Sequence, residues 1–498
     1  MRAVTESRIL LYLYLIGGSQ MNWFEKTISF FSPSAAYKRE AWRVGLDQLK
    51  SYDAGADDRL NAGWRVVNQN ADQTDRVHRD IIRARARDLE RNSDMSESII
   101  SAFERNVVGT GFKLQAKTND EELNQKIEHL FTEWCKPRNC DATFQQSFDS
   151  LCRMAVRRKK IDGGILFIKR YTKGGVVPFT LQTKEVDDLD TMQIGGRDER
   201  IVGGVQYNEY NRPLAYFLKT YDINGLHSGK SEKVKADDVI FLWNKKRPSQ
   251  LREMSEMAHT IGRIRDVNSY MEAVSVKERV AACLSVFIKR QSPAAGTMGR
   301  SANQSKSFSY NGKTLSPGMI MELNPGDDVA SVQPPSQGAS AADFIRLQQR
   351  MAGSGQGMSY EVTARDMSQV NYSSARQGLI EDNKTYGIEQ KYLIDHFLTE
   401  VYESFLISAV LSGAIVIKDF WEKKREYMNH EWTPPAQRWI DPLKEATANK
   451  ILLETNQSTL AEIAASTGYD WREIIDQRAR EIEYMRLKGV MEDEAKGT

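Results

Sequence analysis

Between residues 251 and 412 the sequence changes pattern four times, and the order of those changes constrains the fold more than any other feature. Leu251 to Arg290 carries Ile261, Ile264, Val267, Met271, Val274 and Val280 on one side of a helical wheel, which predicts a single helix about 60 Å long. Residues 292–340 then turn rich in Gly, Ser and Pro and hold short strand patterns at Ser307 to Tyr310, Gly318 to Leu323 and Val329 to Gln333. A second helix, Ala341 to Met351, ends at Gly353, Gly355 and Gly357. The polar stretch Thr363 to Ser374 caps a very long helix carrying Ile388, Tyr392, Phe397, Val401, Phe405 and Val410. Helix, small β excursion, helix, polar loop and long helix suit a spoke-like subunit packed against copies of itself in a ring better than a compact enzyme.

Upstream, residues 73–106 predict a helix with Arg76, Arg79, Arg83, Arg87 and Arg91 at three- and four-residue steps and Ile82, Ala86 and Leu89 on the other face. Asp80, Asp88 and Glu90 lie among these arginines, so a solvated face laced with local ion pairs is the plain reading, and a phosphate or subunit contact the sharper one. A second basic run, Arg153, Arg157, Arg158, Lys159, Lys160, Lys169, Arg170 and Lys173, is opposed only by Asp162. Strands are expected near 165–172, 176–183, 201–208 and 213–220, joined as antiparallel hairpins, and Glu185, Asp187, Asp188 and Asp190 read as an acidic surface loop between them. The fold class is α+β.

Several chemistries lack their signatures. Gly229-Lys230-Ser231 and Gly312-Lys313-Thr314 have Asn224 and Ser307 where a phosphate-binding loop needs its first glycine, and both are read as hairpin turns. Gly109-Thr110-Gly111 lacks the third glycine of a dinucleotide loop. His78, His129, His227, His259, His396 and His430 are scattered, with no HExxH spacing. Cys135 and Cys140 near His129, with four intervening residues and no second pair, make only a weak zinc signature, and with Cys152 and Cys283 they read as reduced, buried thiols. No catalytic residue, metal or cofactor is assigned. A mean hydropathy of −0.54 argues against an integral membrane protein. The apolar run Ile9 to Ile16 is too short to span a bilayer, and residues 1–20, which precede a second start at Met21, are left out of the fold reasoning. Leu406 to Ile417 is broken by Ser408, Ser412 and Gly413 and reads as a buried helix end with its exit. Lys and Arg number 69 against 67 Asp and Glu, so the chain is no polyanion sponge, although a local basic stripe is compatible with that balance.

The order of short motifs resembles the lambda-family phage portal proteins from about 40 to 490. The stretches that carry the likeness are Ala84 to Asn92 leading to Val107-Val108-Gly109, then Asn324-Pro325-Gly326-Asp327, Met358-Ser359-Tyr360-Glu361 and Asn371 to Arg376. Trp439 to Glu445, Ser458 to Glu462 and Gly468 to Ile474 follow in turn. Gly164, where the family often has a carboxylate, and Arg247 to Glu253, where it usually has a glycine, depart from the pattern. The resemblance implies a ring, usually of twelve subunits, at one capsid vertex of the virion, assembled in the bacterial cytoplasm and passing double-stranded DNA without sequence preference. It implies docking to a terminase large subunit, a head-tail connector and a major capsid or scaffold protein. The implied parts are an N-terminal arm (1–39), an α/β wing (40–250), a stem helix (251–291), a clip (292–340), a second stem helix (341–358), a tunnel loop (359–373), a long helix returning to the wing (374–435) and a helical crown (436–498). Arg365, Gln369, Asn371, Ser373 and Arg376 are then candidates to touch DNA, and Arg83, Arg87, Arg157, Arg158, Lys159 and Lys160 candidates for a basic patch. A packaging ATPase or metal-dependent nuclease with an unrecognised site is the alternative.

Overall fold

Ile165-Leu166-Phe167-Ile168 is an unbroken apolar run, the pattern of a strand buried on both faces. In the computed structural model this run forms the centre of strand β2, and the rest of the fold is arranged about it. The structure describes residues 68–196, 199–222, 225, 227–282, 286–290, 327–331, 338–368, 371–435, 442–488 and 490, with a few positions between 32 and 39. The chain divides into two units, Met1–Gln69 and Asn70–Thr498, and everything below concerns the second.

Three helices open it: α1 (Ala71–Arg76), α2 (Arg79–Asn92) and α3 (Asp94–Phe103), the last running into a π-helical turn, Glu104–Val108. The sequence predicts one helix here. Ser93 interrupts it because its extended backbone ends α2 while its hydroxyl accepts from Ser96 N at the start of α3. Then come β1 (Lys113–Ala116), α4 (Glu121–Trp134), the single turn α5 (Pro137–Cys140) and α6 (Phe148–Ile161). β2 (Gly164–Arg170) lies between β3 (Thr180–Lys184) and β8 (Val239–Trp243) in an antiparallel sheet. A second antiparallel sheet orders β4 (Arg200–Val202), β5 (Val205–Tyr207), β6 (Pro213–Tyr221) and β7 (His227–Lys235). The strand expected over 201–208 is thus a hairpin, folded at Gly203 and Gly204, both with positive φ. Gly229-Lys230-Ser231 lies within β7 rather than in a turn, and Gly312-Lys313-Thr314 lies outside the described residues.

The period-2 alternation of β2 sorts two cores. Ile165 and Phe167 face the larger one, made with α3, α4, α6 and the long C-terminal helices, whereas Leu166 and Ile168 face a smaller one under the second sheet with Val205, Tyr216 and Leu218. Aromatic rings fill the larger core: Trp134 stacks on Phe179 at 5.4 Å and donates its indole N–H to Phe179 O at 2.7 Å, and Phe131 meets Phe405 edge-on at 5.1 Å.

The long helix predicted from Leu251 is shorter. Residues 251–260 are irregular, and α7 (Ile261–Ala282) is about 33 Å long. The reason is that residues 250–257 are buried in an unbroken run, with Met254 half-buried, which a helix solvated on one face does not allow. Within α7 only the first turns are covered: Ile264 and Val267 are buried, whereas Met271 is exposed. Val286–Arg290, predicted as helix, is β9, paired antiparallel with β10 (Asp327–Ser331); the two earlier strand patterns at Ser307 to Tyr310 and Gly318 to Leu323 lie outside the described residues. α8 (Gly338–Gly355) runs beside α7, with Tyr270 and Phe344 rings 4.8 Å apart. After α9 (Tyr360–Ala364) the long helix runs as α10 (Tyr372–Leu393), a π-helical turn (Ile394–Leu398) and α11 (Thr399–Leu411). Phe397, Val401 and Phe405 enter the core as their spacing predicts, but Ile388 is 72 % exposed. The turn α12 (Lys424–Tyr427) leads to β11 (His430–Thr433), which pairs with β1. Helices α13 (Pro442–Glu454), α14 (Leu460–Ser466) and α15 (Trp471–Leu487) end the described chain.

Candidate functional site

The six basic candidates do not form an open patch. Arg83 and Arg87 lie on α2, and Arg157, Arg158, Lys159 and Lys160 on the last turn and a half of α6, which packs beside it. Arg157 reaches Glu90 at 2.7 Å, Glu97 at 2.6 Å and Glu104 at 3.3 Å, carboxylates spaced along α2, α3 and the π-turn. Arg158 takes Glu90 and, at 3.3 Å, Asp162. Arg87 meets the buried Asp162 at 2.6 Å, Asp187 at 2.6 Å and Glu185 at 3.1 Å, and Arg83 reaches Asp187 at 3.0 Å and Glu253 at 3.2 Å. The acidic stretch after β3 is therefore not a free surface loop. Glu185 and Asp187 receive the arginines of α2, Asp188 accepts from Tyr221 Oη at 2.7 Å, and the buried Asp190 accepts from Ser231 Oγ.

Deeper still, Lys159 and Lys160 bridge Glu256 and Glu389 in a buried square, with Lys159 at 3.0 and 2.6 Å and Lys160 at 2.6 and 3.2 Å from the two carboxylates. Lys160 also lies 3.9 Å over the Phe103 ring and Lys159 4.5 Å over Tyr392. Burial pushes the Glu256 carboxyl up, but Lys160 and Lys159 outweigh it and hold the group well below the usual carboxylate range. For Lys160, burial favours the neutral amine and the fields of Glu256 and Glu389 outweigh it, so its pKa rises. Next to this square, Glu253 grips Arg252 at 2.7 and 2.9 Å with both side chains buried. Burial again raises Glu253, and Arg252, Arg79 and Arg83 bring it below its ordinary value. The sequence missed Glu253, Glu256 and Glu389 because Arg83, Lys159 and Lys160, their partners, are far along the chain, and Arg252 because nothing local marks it as buried.

The polar loop is held at both ends. Gly353 lets α9 approach α8, since a Cβ there would stand 2.4 Å from Thr363 Oγ1. Ser359 donates from its N at 2.7 Å and its hydroxyl at 2.6 Å to the buried Asp382 of α10. Burial raises the Asp382 pKa, and the two Ser359 bonds counter it in part. At the far end Asn371 Oδ1 accepts from Ser374 N at 2.8 Å, so Asn371 is the cap of α10. Arg365 is exposed and sits in the left-handed region at φ 53°. Asp366 beside it is turned to its own loop, accepting from Ser368 N at 3.0 Å and Tyr360 Oη at 3.1 Å. Ser373 and Arg376 are exposed on the first turn of α10, and Gln369 lies outside the described residues. Neither Arg365 nor Arg376 forms an ion pair among the described residues.

A sequence model described as phage portal protein, lambda family, matches residues 57–390, well over half of the chain. The chain belongs to that family. A probable portal protein of Halomonas phage phiHAP-1 is 24 % identical over 87 % of this chain and 86 % of its own, and portal protein B of Escherichia phage lambda 20 % identical over 82 % and 84 %. Among solved structures, the neck of a native gene transfer agent particle computed with C12 symmetry is 12 % identical, with a TM-score of 0.44, covering 77 % of this chain and 93 % of that one.

Portal proteins are structural, and this portal protein is not an enzyme; the alternative of a packaging ATPase or nuclease falls with the family assignment. Its fold is α+β. Among the described residues no three His, Cys, Asp or Glu side chains are placed to hold a metal ion, and no helix is long and apolar enough to cross a membrane. Cys135, Cys140 and Cys152 are free thiols, burial pushing Cys140 up to about 12; Cys283 lies outside the described residues. What distinguishes the portal's polar loop from its basic helices is therefore charge balance. The helices match most of their cations with internal carboxylates, and Arg365 and Arg376 at the loop have none among the described residues.

Proposed function

We propose that this portal chain is one subunit of a homo-oligomeric ring, a dodecamer, at one vertex of a phage capsid, and that double-stranded DNA passes through the ring during packaging and ejection. The observation that carries the reading is the lambda-family portal match over residues 57–390. In this reading residues 40–250 with 374–435 are the wing, 251–291 and 341–358 the stem, 292–340 the clip that docks the terminase large subunit, 359–373 the tunnel loop and 436–498 the crown. Residues 1–39 form an arm, the wing edge meets the major capsid or scaffold protein, and a head-tail connector binds after filling.

Two physical features support it. A conduit that bound DNA tightly at every subunit would stall it, since each neutralised phosphate adds salt-sensitive affinity and a ring multiplies the effect. A net charge of +2, with most cations of α2 and α6 spent on internal carboxylates, avoids that trap. In addition, α13 and α15 bury none of their own residues and leave Leu443, Tyr484 and Leu487 exposed, as expected of helices covered by neighbouring subunits.

The test is electron microscopy and mass photometry of the purified chain, with nucleotide-hydrolysis and nuclease assays alongside. Closed rings with a central channel and no turnover are expected. A chain that stays monomeric at every concentration, with or without a scaffold protein, would sink the reading.

A further inference from the structure

The loop at residues 190–196, between β3 and β4, is fastened more firmly than its exposure suggests. Asp190 is buried, donates its N–H to Phe217 O of β6 at 2.8 Å, and accepts from Met192 N at 3.0 Å, from Gln193 Nε2 at 3.3 Å and from Ser231 Oγ of β7. Gly195 lets the loop close on β4, since a Cβ there would collide with Glu199 O. Held in this way, Met192 and Ile194 are 84 % and 89 % exposed, the two highest values for any large apolar side chain among the described residues. Two bare apolar side chains on a fixed loop make a knob that loses little freedom on docking. The chain also carries an open apolar cleft. α4 and the segment 414–419 that leaves α11 bound a hollow of about 1090 Å³, with Leu123, Leu130, Ile415, Val416, Ile417 and Tyr427 in its lining. Val416 is 80 % exposed, and neither Val416 nor Ile417 donates a backbone hydrogen bond among the described residues. The carboxylates of the rim are engaged already: Asp120 caps α4, Glu122 lies 3.8 Å from Lys126, and Asp419 takes Lys423 at 2.8 Å and Tyr427 Oη at 2.7 Å. The cleft therefore suits an apolar side chain better than a cation.

We propose that the knob of one subunit, Met192 and Ile194, inserts into the cleft of the next, between α4 and residues 414–419; this rests on the reading of the chain as a ring subunit and names a contact that closes the ring. Two features select a second copy as the occupant. Knob and cleft lie on opposite sides of the β3–β2–β8 sheet, because the knob is tied to the sheet that packs on Leu166 and Ile168, whereas α4 packs on the side of Ile165 and Phe167. A contact between two different patches on opposite sides is head-to-tail and repeats around a ring, whereas a patch that met itself would stop at a dimer. The two halves also match in kind, bare apolar side chains on a fixed loop against an unfilled apolar hollow whose carboxylates have partners.

The test uses the full-length chain carrying Ile194→Cys, Val416→Cys or both, crosslinked with a short bismaleimide once mass photometry has counted the rings. The double variant should give a ladder of crosslinked species up to the ring, a mixture of the two single variants should stop at dimers, and each single variant alone should give none. Ile194→Asp should raise the concentration at which half the chain is assembled about tenfold or more, since a buried isoleucine is lost at every contact, and adding Val416→Lys should restore assembly. Rings of the double variant that show no ladder, or single variants that crosslink to themselves, would overturn this inference and leave the ring reading standing. Ile194→Asp chains that assemble like wild type but no longer enter capsid shells would overturn it too, by giving the loop to the capsid or scaffold protein. A wild-type chain that forms no rings at any concentration, with or without a scaffold protein, would overturn both the inference and the ring reading.

Discussion

Replacing Glu256 by Gln keeps the shape of a buried side chain and removes its charge. In the wild type two lysines face two carboxylates, with side-chain exposures of 2 % for Lys159, 7 % for Lys160, 7 % for Glu256 and 12 % for Glu389. Glu256→Gln leaves Glu389 alone to balance both lysines. Breaking a buried pair in this way costs about 3–5 kcal/mol, because the orphaned ion stays out of water. Urea unfolding of the dissociated subunit, followed by tryptophan fluorescence, reads that loss as a lower midpoint at constant slope. The pH dependence supplies a second check. The folded pKa of Glu256 is depressed, so its contribution is complete above the unfolded carboxylate value of about 4.3 and is lost as pH falls through the folded value. The wild type must therefore lose stability on acidification faster than Glu256→Gln, and the two curves must converge. A variant within about 1 kcal/mol of wild type at neutral pH, or a gap that persists in acid, would show that the square contributes little net stability and would refute the reasoning.

Three further outcomes are expected. Asn371→Ala should cost about 1 kcal/mol, visible as faster hydrogen exchange in the first turn of α10, while DNA affinity stays at the wild-type value, since the amide is engaged as a cap. Gly163→Ala should destabilise by more than 1 kcal/mol, roughly, because φ is +89° there and a Cβ would stand 2.4 Å from the backbone of Met254; thermal unfolding of the subunit reads it. Leu487→Glu should lower the fraction of assembled rings in mass photometry without changing the subunit's far-ultraviolet circular dichroism, as the residue is 79 % exposed in the isolated chain.

Local features of this fold were legible in the sequence. The apolar run of β2, the polar cap of α10 that includes Asn371 and the helical spacing of Phe397, Val401 and Phe405 act over a few residues, and their signals survive into the structure. Charge was where the reading failed, because a lysine's partner is set by tertiary packing. Lys159 is 230 positions from Glu389, and Arg83 is 170 from Glu253. A cluster of cations in sequence looks the same whether it faces DNA or the inside of its own chain. The same cause explains the misjudged start of α7, where Glu253 and Glu256 sit in the interior against Arg83 and Lys160, partners that a helical wheel cannot display.

α10 can also be viewed as a mechanical part. Its first turn grows out of the polar loop at Asn371, Asp382 ties its middle to Ser359, and Glu389 seats its far end between two lysines. From Asn371 to Glu389 is about 27 Å of continuous helix. A pull on the loop by a moving duplex would be carried along that rod into two anchorages at once, the ionic contacts on α6 and the aromatic core that Tyr386 and Phe397 enter.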